Sequence, residues 1–219
     1  MKHRIMNAGK SVEIFIYEPI GGWLGGITPQ AVADSLKAAG SVETINLRIN
    51  SPGGDVFDGV SIYNQLKRHP ARVEVDIDGV CASIATIVAM AGDKIRMAAN
   101  GSFMIHEPYG GATGSAADLR RRADLLDQTR ENILDTYVAR TKADRVRLSD
   151  MMEAETWMRA GDALDLGFVD EVTDEIEMAA CFDLSLFKNP PSNLSKGPLV
   201  NPNRARLAAN ARKVRQVCG

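Results

Sequence analysis

Arg72-Val73-Glu74-Val75-Asp76-Ile77, followed at once by Gly79-Val80-Cys81-Ala82-Ser83-Ile84-Ala85, decides how this chain is read. The first run alternates apolar and charged residues and is rich in β-branched ones, the pattern of a half-buried strand. The second opens the apolar stretch Ile84 to Ala91, far short of the ~18 residues a membrane span needs, and reads as a buried helix. A strand that passes into a helix through a serine is a place where α/β enzymes expose catalytic groups.

The same alternation extends outward. Val12 to Tyr17 is a strand; a glycine-laden loop from Pro19 to Gly26 leads to Thr28-Pro29, which starts a helix running to about Lys37. Thr44 to Ile49 is a strand, Pro52-Gly53-Gly54 a turn, and Val56 to Lys67 a helix with Val60, Tyr63 and Leu66 at helical spacing. Lys94 to Met97 and Ser102 to Ile105 are further strands, and His106 follows the last of them. Ala116 to about Thr141 is the longest helical segment, with Leu119, Leu126 and Ile133 seven apart. Short helices at Leu148 to Met152 and Ala160 to Leu166 precede a terminal strand in Gly167 to Val172. The expectation is an α/β domain over residues 1–187.

Composition narrows the functions. The 219 residues carry a net charge of −2 with 45% hydrophobic and 25% charged residues, which gives no global pull towards nucleic acid or a membrane surface. From Lys188 onward there are seven basic residues and no acidic one. Residues 188–219, with breakers at Asn189-Pro190-Pro191 and Lys196-Gly197-Pro198, are expected to form a separate basic tail in which Arg204 to Val217 makes a helix undocked from the body. Cys81, Cys181 and Cys218 are odd in number and unclustered, which argues against a disulfide framework and a zinc site and for a reducing, cytoplasmic setting. The N-terminus has basic residues but no apolar core of a signal peptide.

A serine hydroxyl becomes a nucleophile when a base takes its proton, and His106 is the candidate base for Ser83. The N–H of Ile84 at the helix start and one from Gly53 would form an oxyanion hole, each worth about 3 kcal/mol in the transition state. Singly, each feature has a plainer explanation. Ser83 alone reads as a helix N-cap, His106 as a structural histidine, and Gly53-Gly54 as a turn. His3 and His69 read as surface residues. Cys81 reads as a small core residue rather than a nucleophile.

Together, in order and spacing, Asn50-Ser51-Pro52-Gly53-Gly54, Ser61-Ile62-Tyr63, the small-residue run around Ser83, Met104-Ile105-His106 with Pro108, and Gly167-Phe168-Val169-Asp170 resemble the proteolytic subunit of the Clp protease family over roughly residues 12–175. The resemblance implies a ClpP/crotonase-type fold of repeated ββα units, with Ser83 as nucleophile, His106 as general base, and Gly53 and Ile84 as oxyanion donors. It also implies that residues 111–141 form a handle through which two rings interdigitate. The third catalytic residue, an aspartate in the family, corresponds to Glu155, with Asp150 and Asp170 as alternatives. Glu107 stands where the family usually has an amide, and Ala85 where a glycine is usual.

Asp55-Val56-Phe57-Asp58-Gly59, Lys67-Arg68-His69-Pro70, Ala154-Glu155-Thr156-Trp157 and the loop containing Trp23 resemble the Clp-like head maturation proteases of tailed phages. That branch implies a cofactor-free serine endopeptidase acting in an oligomeric chamber on scaffold and capsid proteins, with no obligatory ATPase partner. The alternatives are a housekeeping Clp peptidase subunit that works with an ATPase, an acyl-CoA enzyme of crotonase type, and an assembly protein with a decayed triad.

Overall fold

The computed structural model describes residues 6–8, 10–176, 182, 184 and 187–191. The chain divides into two compact units, Met1–Ile176 and Glu177–Gly219. The expected basic helix at Arg204 to Val217 lies outside the described residues. All the elements below belong to the first unit.

An eight-stranded sheet forms its centre. Strands β1 (Met6–Ala8), β2 (Ser11–Ile16), β3 (Thr44–Ser51), β4 (Arg72–Ala82), β5 (Lys94–Ala98) and β8 (Glu171–Thr173) lie side by side in that order. All neighbours pair in parallel except β1 with β2. Strand β6 (Ser102–Ile105) pairs in parallel with the far end of β4, and β7 (Thr156–Arg159) pairs antiparallel with β6. The α/β architecture is the one the sequence predicts, and the structure shows that its sheet is mostly parallel.

The period-2 alternation explains the two faces of the sheet. Val12, Ile14, Ile16, Ile45, Leu47, Ile49, Val73, Val75 and Ile77 are all buried. Helices α1 (Pro29–Ala39), α2 (Val56–Arg68) and α3 (Ile84–Ala89) pack on this apolar side. The alternate residues carry charge, and they neutralise one another across the strands: Arg48 with Asp78, and Arg96 with Asp76 and Glu74. Thr28 caps α1 by accepting from Ala31 N (3.2 Å) ahead of Pro29 at the first helical position, and Asp55 caps α2 by accepting from Asp58 N (3.0 Å).

Strand β4 extends past Ile77 through Gly79 to Ala82, further than its apolar alternation suggests. It serves two partners in turn, β5 over Glu74–Ile77 and β6 over Val80–Ala82. Its register with β3 shifts along the way, from Ile49 opposite Ile77 to Ser51 opposite Cys81, so β4 accommodates two extra residues. The buried Asn50 repairs the gap, its Oδ1 accepting from Val80 N at 3.0 Å. The long helix α4 (Ala116–Arg140) starts in a Ser115/Asp118 capping box and is followed by α5 (Arg145–Glu153) and α6 (Ala160–Leu166). Gly167 ends α6 in the left-handed conformation (φ 83°), so the predicted terminal strand begins only at Glu171.

Candidate active site

β4 delivers Ser83 to the start of α3, with φ 57° and ψ −133°. A non-glycine residue in this region costs about 1–3 kcal/mol and persists only where its surroundings fix it. Ser83 occupies the N-cap position, yet its side chain makes no capping hydrogen bond. The hydroxyl is instead 2.7 Å from His106 Nε2. The turn is held from two sides: Ser83 N donates to Met104 O (2.9 Å), and Ser83 O accepts from the Thr86 hydroxyl (2.5 Å). Because Thr86 donates there, Tyr137 of α4 must donate to Thr86, at 2.6 Å. Burial pushes the Tyr137 phenol up, which keeps the donor protonated.

His106 follows β6 directly, and Tyr109 lies against its ring at a centroid distance of 5.6 Å. Strand β7 brings up Glu155. The β6–β7 register pairs Ser102 with Arg159 and Ile105 with Thr156, so its continuation puts Glu155 opposite His106. Glu155 is buried (6% exposed), has φ 51°, and accepts from Trp157 Nε1 at 3.4 Å. The two alternative carboxylates lie elsewhere. Asp150 is exposed on α5, and Asp170 accepts from Ile95 N and Arg140 at 2.8 and 2.7 Å.

Gly53 is packed against the serine. A Cβ added to it would fall 2.6 Å from both Ala82 O and Ser83 Cβ, and its φ of +88° disfavours any side chain. Its N–H, assigned to the oxyanion from the sequence, donates to Ser51 Oγ at 3.2 Å in this structure. The N–H of the following Gly54 has no partner among the described residues. Ile84 occupies the first position of α3, where its N–H lies outside the helical ladder. Cys81 is fully buried and its thiol is pushed up by burial, which leaves it an inert neighbour of the serine. A small open cleft adjoins Ser83 and His106, lined by the apolar Val56, Ile87, Pro108 and Ile133.

Sequence reasoning missed the Thr86–Tyr137 support, since the 51-residue separation leaves no local signal. It also missed β7, whose four residues carry only one fully buried side chain. Among the described residues no helix is long and apolar enough to cross a membrane.

Comparison with known proteins places this geometry. The Clp protease family matches residues 6–176. The chain is 31% identical over 142 residues to ATP-dependent Clp protease proteolytic subunit 1 of a Synechococcus species, covering 64% of this chain and 72% of that protein. It is 29% identical over 182 residues to subunit 1 of Chlamydia abortus, covering 78% and 90%. Among solved structures, a ClpP1 point mutant from Listeria monocytogenes superposes with a TM-score of 0.66 at 25% identity, covering 74% of this chain and 91% of that one. Since the family match takes in every strand and helix of the first unit, the chain belongs to the Clp protease family and is a serine-type peptidase of that kind.

Proposed function

We propose that this protein hydrolyses peptide bonds through an acyl-enzyme on Ser83. His106 Nε2 takes the hydroxyl proton as Oγ attacks the carbonyl carbon, then passes it to the leaving amine; a water activated by the same nitrogen releases the acyl group. Glu155 orients and electrostatically supports the imidazolium from the opposite strand. Ile84 N–H and the Gly53-Gly54 pair hold the oxyanion. With Gly53 N–H on Ser51 Oγ, Gly54 is the ready donor, and Gly53 allows the close approach. The apolar cleft favours an uncharged side chain next to the scissile bond. The observation that carries this reading is the 2.7 Å contact between His106 Nε2 and a serine held at a strained strand-to-helix turn.

The test is intact-mass spectrometry after fluorophosphonate treatment. One adduct on the wild type, absent from Ser83→Ala and His106→Ala, is expected. A folded wild type that takes no adduct would overturn the reading in favour of a decayed triad or an acyl-CoA enzyme.

We further propose a homo-oligomeric ring or double ring, joined through α4 and acting in the cytoplasm. Its substrates are scaffold and capsid polypeptides of an assembling phage head, a reading supported by the motifs around Asp55, Lys67 and Ala154. The names of the relatives favour a second reading, a Clp peptidase subunit dependent on an ATPase. Digestion of a long unfolded polypeptide without ATP supports the first. Cleavage only when a Clp ATPase and ATP are added supports the second.

A further inference from the structure

Resting on the peptidase reading above, we propose that Arg130 is a positioning residue that holds His106 in register with Ser83 by clasping Glu107. His106 begins a stretch, residues 106–115, that has no regular secondary structure. A base carried at the head of a loop keeps its place only if the loop is tethered. Glu107, covalently next to it, supplies two tethers. Its N–H donates to Met152 O of α5 at 3.2 Å, and its carboxylate accepts from Arg130 Nε of α4 at 2.6 Å. Nη2 of the same guanidinium donates to Ser149 Oγ of α5 at 2.5 Å, and Nη1 donates to the neighbouring Glu131 of α4 at 2.7 Å.

The loop and two helices therefore meet on one planar fork. A lysine, a point charge without that fork, could not satisfy Glu107 and Ser149 together with Glu131 in this geometry. The Arg130 side chain is 23% exposed and that of Glu107 42%, so solvent screens the pair in part and its effect lies in fixing a geometry rather than in a large energy. Helix α4 does not need Arg130 to stay in place, because Ile133, Leu134 and Tyr137 already bury its inner face. What Arg130 adds is the link to the residue beside the base. Displacing a catalytic group by about 1 Å is enough to lower a rate up to ~100-fold.

The experiment compares the wild type with Arg130→Gln, Arg130→Lys, Glu107→Gln and the Arg130→Gln/Glu107→Gln double variant. Three quantities are read: kcat and KM on a fluorogenic peptide, the rate of fluorophosphonate modification of Ser83, and hydrogen exchange of the Glu107 amide. Arg130→Gln is expected to lower kcat and the modification rate roughly tenfold with KM within about twofold, and to speed Glu107 exchange by a similar factor. Arg130→Lys should fall in between, and the double variant should be no worse than the poorer single one, since both remove one link. Arg121→Gln, which removes an exposed charge from the same helix, should match the wild type. Unchanged Glu107 exchange or an unchanged Ser83 modification rate in Arg130→Gln would overturn the proposal. If the wild type takes no adduct, the peptidase reading falls instead, and the exchange measurement still decides whether the clasp exists.

Discussion

Two residues of the site, Ser83 and Glu155, are the only non-glycine positions with positive φ among the described residues. Both sit at junctions where a strand meets a helix end, and both are held by hydrogen bonds from other elements. Such placements go against local preference and mark sites where geometry is fixed by tertiary contacts. The cross-strand position of Glu155 leads to a definite outcome. On the role proposed for Glu155, Glu155→Gln keeps the shape and removes the supporting charge, so kcat on a peptide substrate should fall by at least about 100-fold with little change in KM. Asp150→Asn, on the exposed side of α5, should leave kcat within about twofold. A large loss in Asp150→Asn with none in Glu155→Gln would transfer the orienting role.

The elements differ in how openly the sequence declared them. Strands β3, β5 and β6 and helices α1, α2 and α4 begin where their alternation, capping residues and turn signals put them, Thr28 and Asp55 being the clearest cases. Strand β4 ran longer than expected because Gly79, an apparent stop, lies inside it, and β1 and β7 are too short to show a period. In the site, Ser83 and His106 were legible because each ends a strand-like run. The direction of the Gly53 N–H was not, because it depends on where the Ser51 hydroxyl points. Helix α4 carries its apolar residues unevenly. Ile133 is buried in the body, whereas Leu119, fourteen residues earlier on the same stripe with Leu126 between them, is 47% exposed. An unpartnered stripe on the outer half of a helix is covered most readily by a second copy of the chain. Leu119→Glu with Leu126→Glu should therefore lower the assembly's mass in light scattering at micromolar concentration while the far-ultraviolet circular dichroism stays the same. An unaltered mass would count against a contact between copies through this stripe.

Across the whole molecule, one face of the sheet is apolar and packed, and the other is a network of crossed charges. Arg96 bridges Asp76 and Glu74, and Arg72 reaches Glu74 from the other side. These hydrogen bonds hold the Glu74 carboxyl below the usual carboxylate range. A carboxyl lowered on folding stabilises the native state above its unfolded value of about 4.3, and that contribution is lost as the pH falls through the folded value. The thermal midpoint should therefore drop between about pH 5 and pH 3, and less steeply in Glu74→Gln. Equal slopes would show that the pair is solvated well enough to contribute nothing.

The two residues that β4 absorbs between Ile77 and Cys81 have a consequence for how this fold tolerates changes in length. Because side chains alternate sides with each residue, an even insertion leaves every later residue of the strand on its original side, and Ile77 and Cys81 both remain in the core. Deleting or adding a single residue at Asp78-Gly79 would invert that parity. Cys81 would be turned out of the core, and Ser83 would be carried to the wrong side of the sheet from its imidazole. Natural or engineered variants of this protein should therefore change length here only in steps of two.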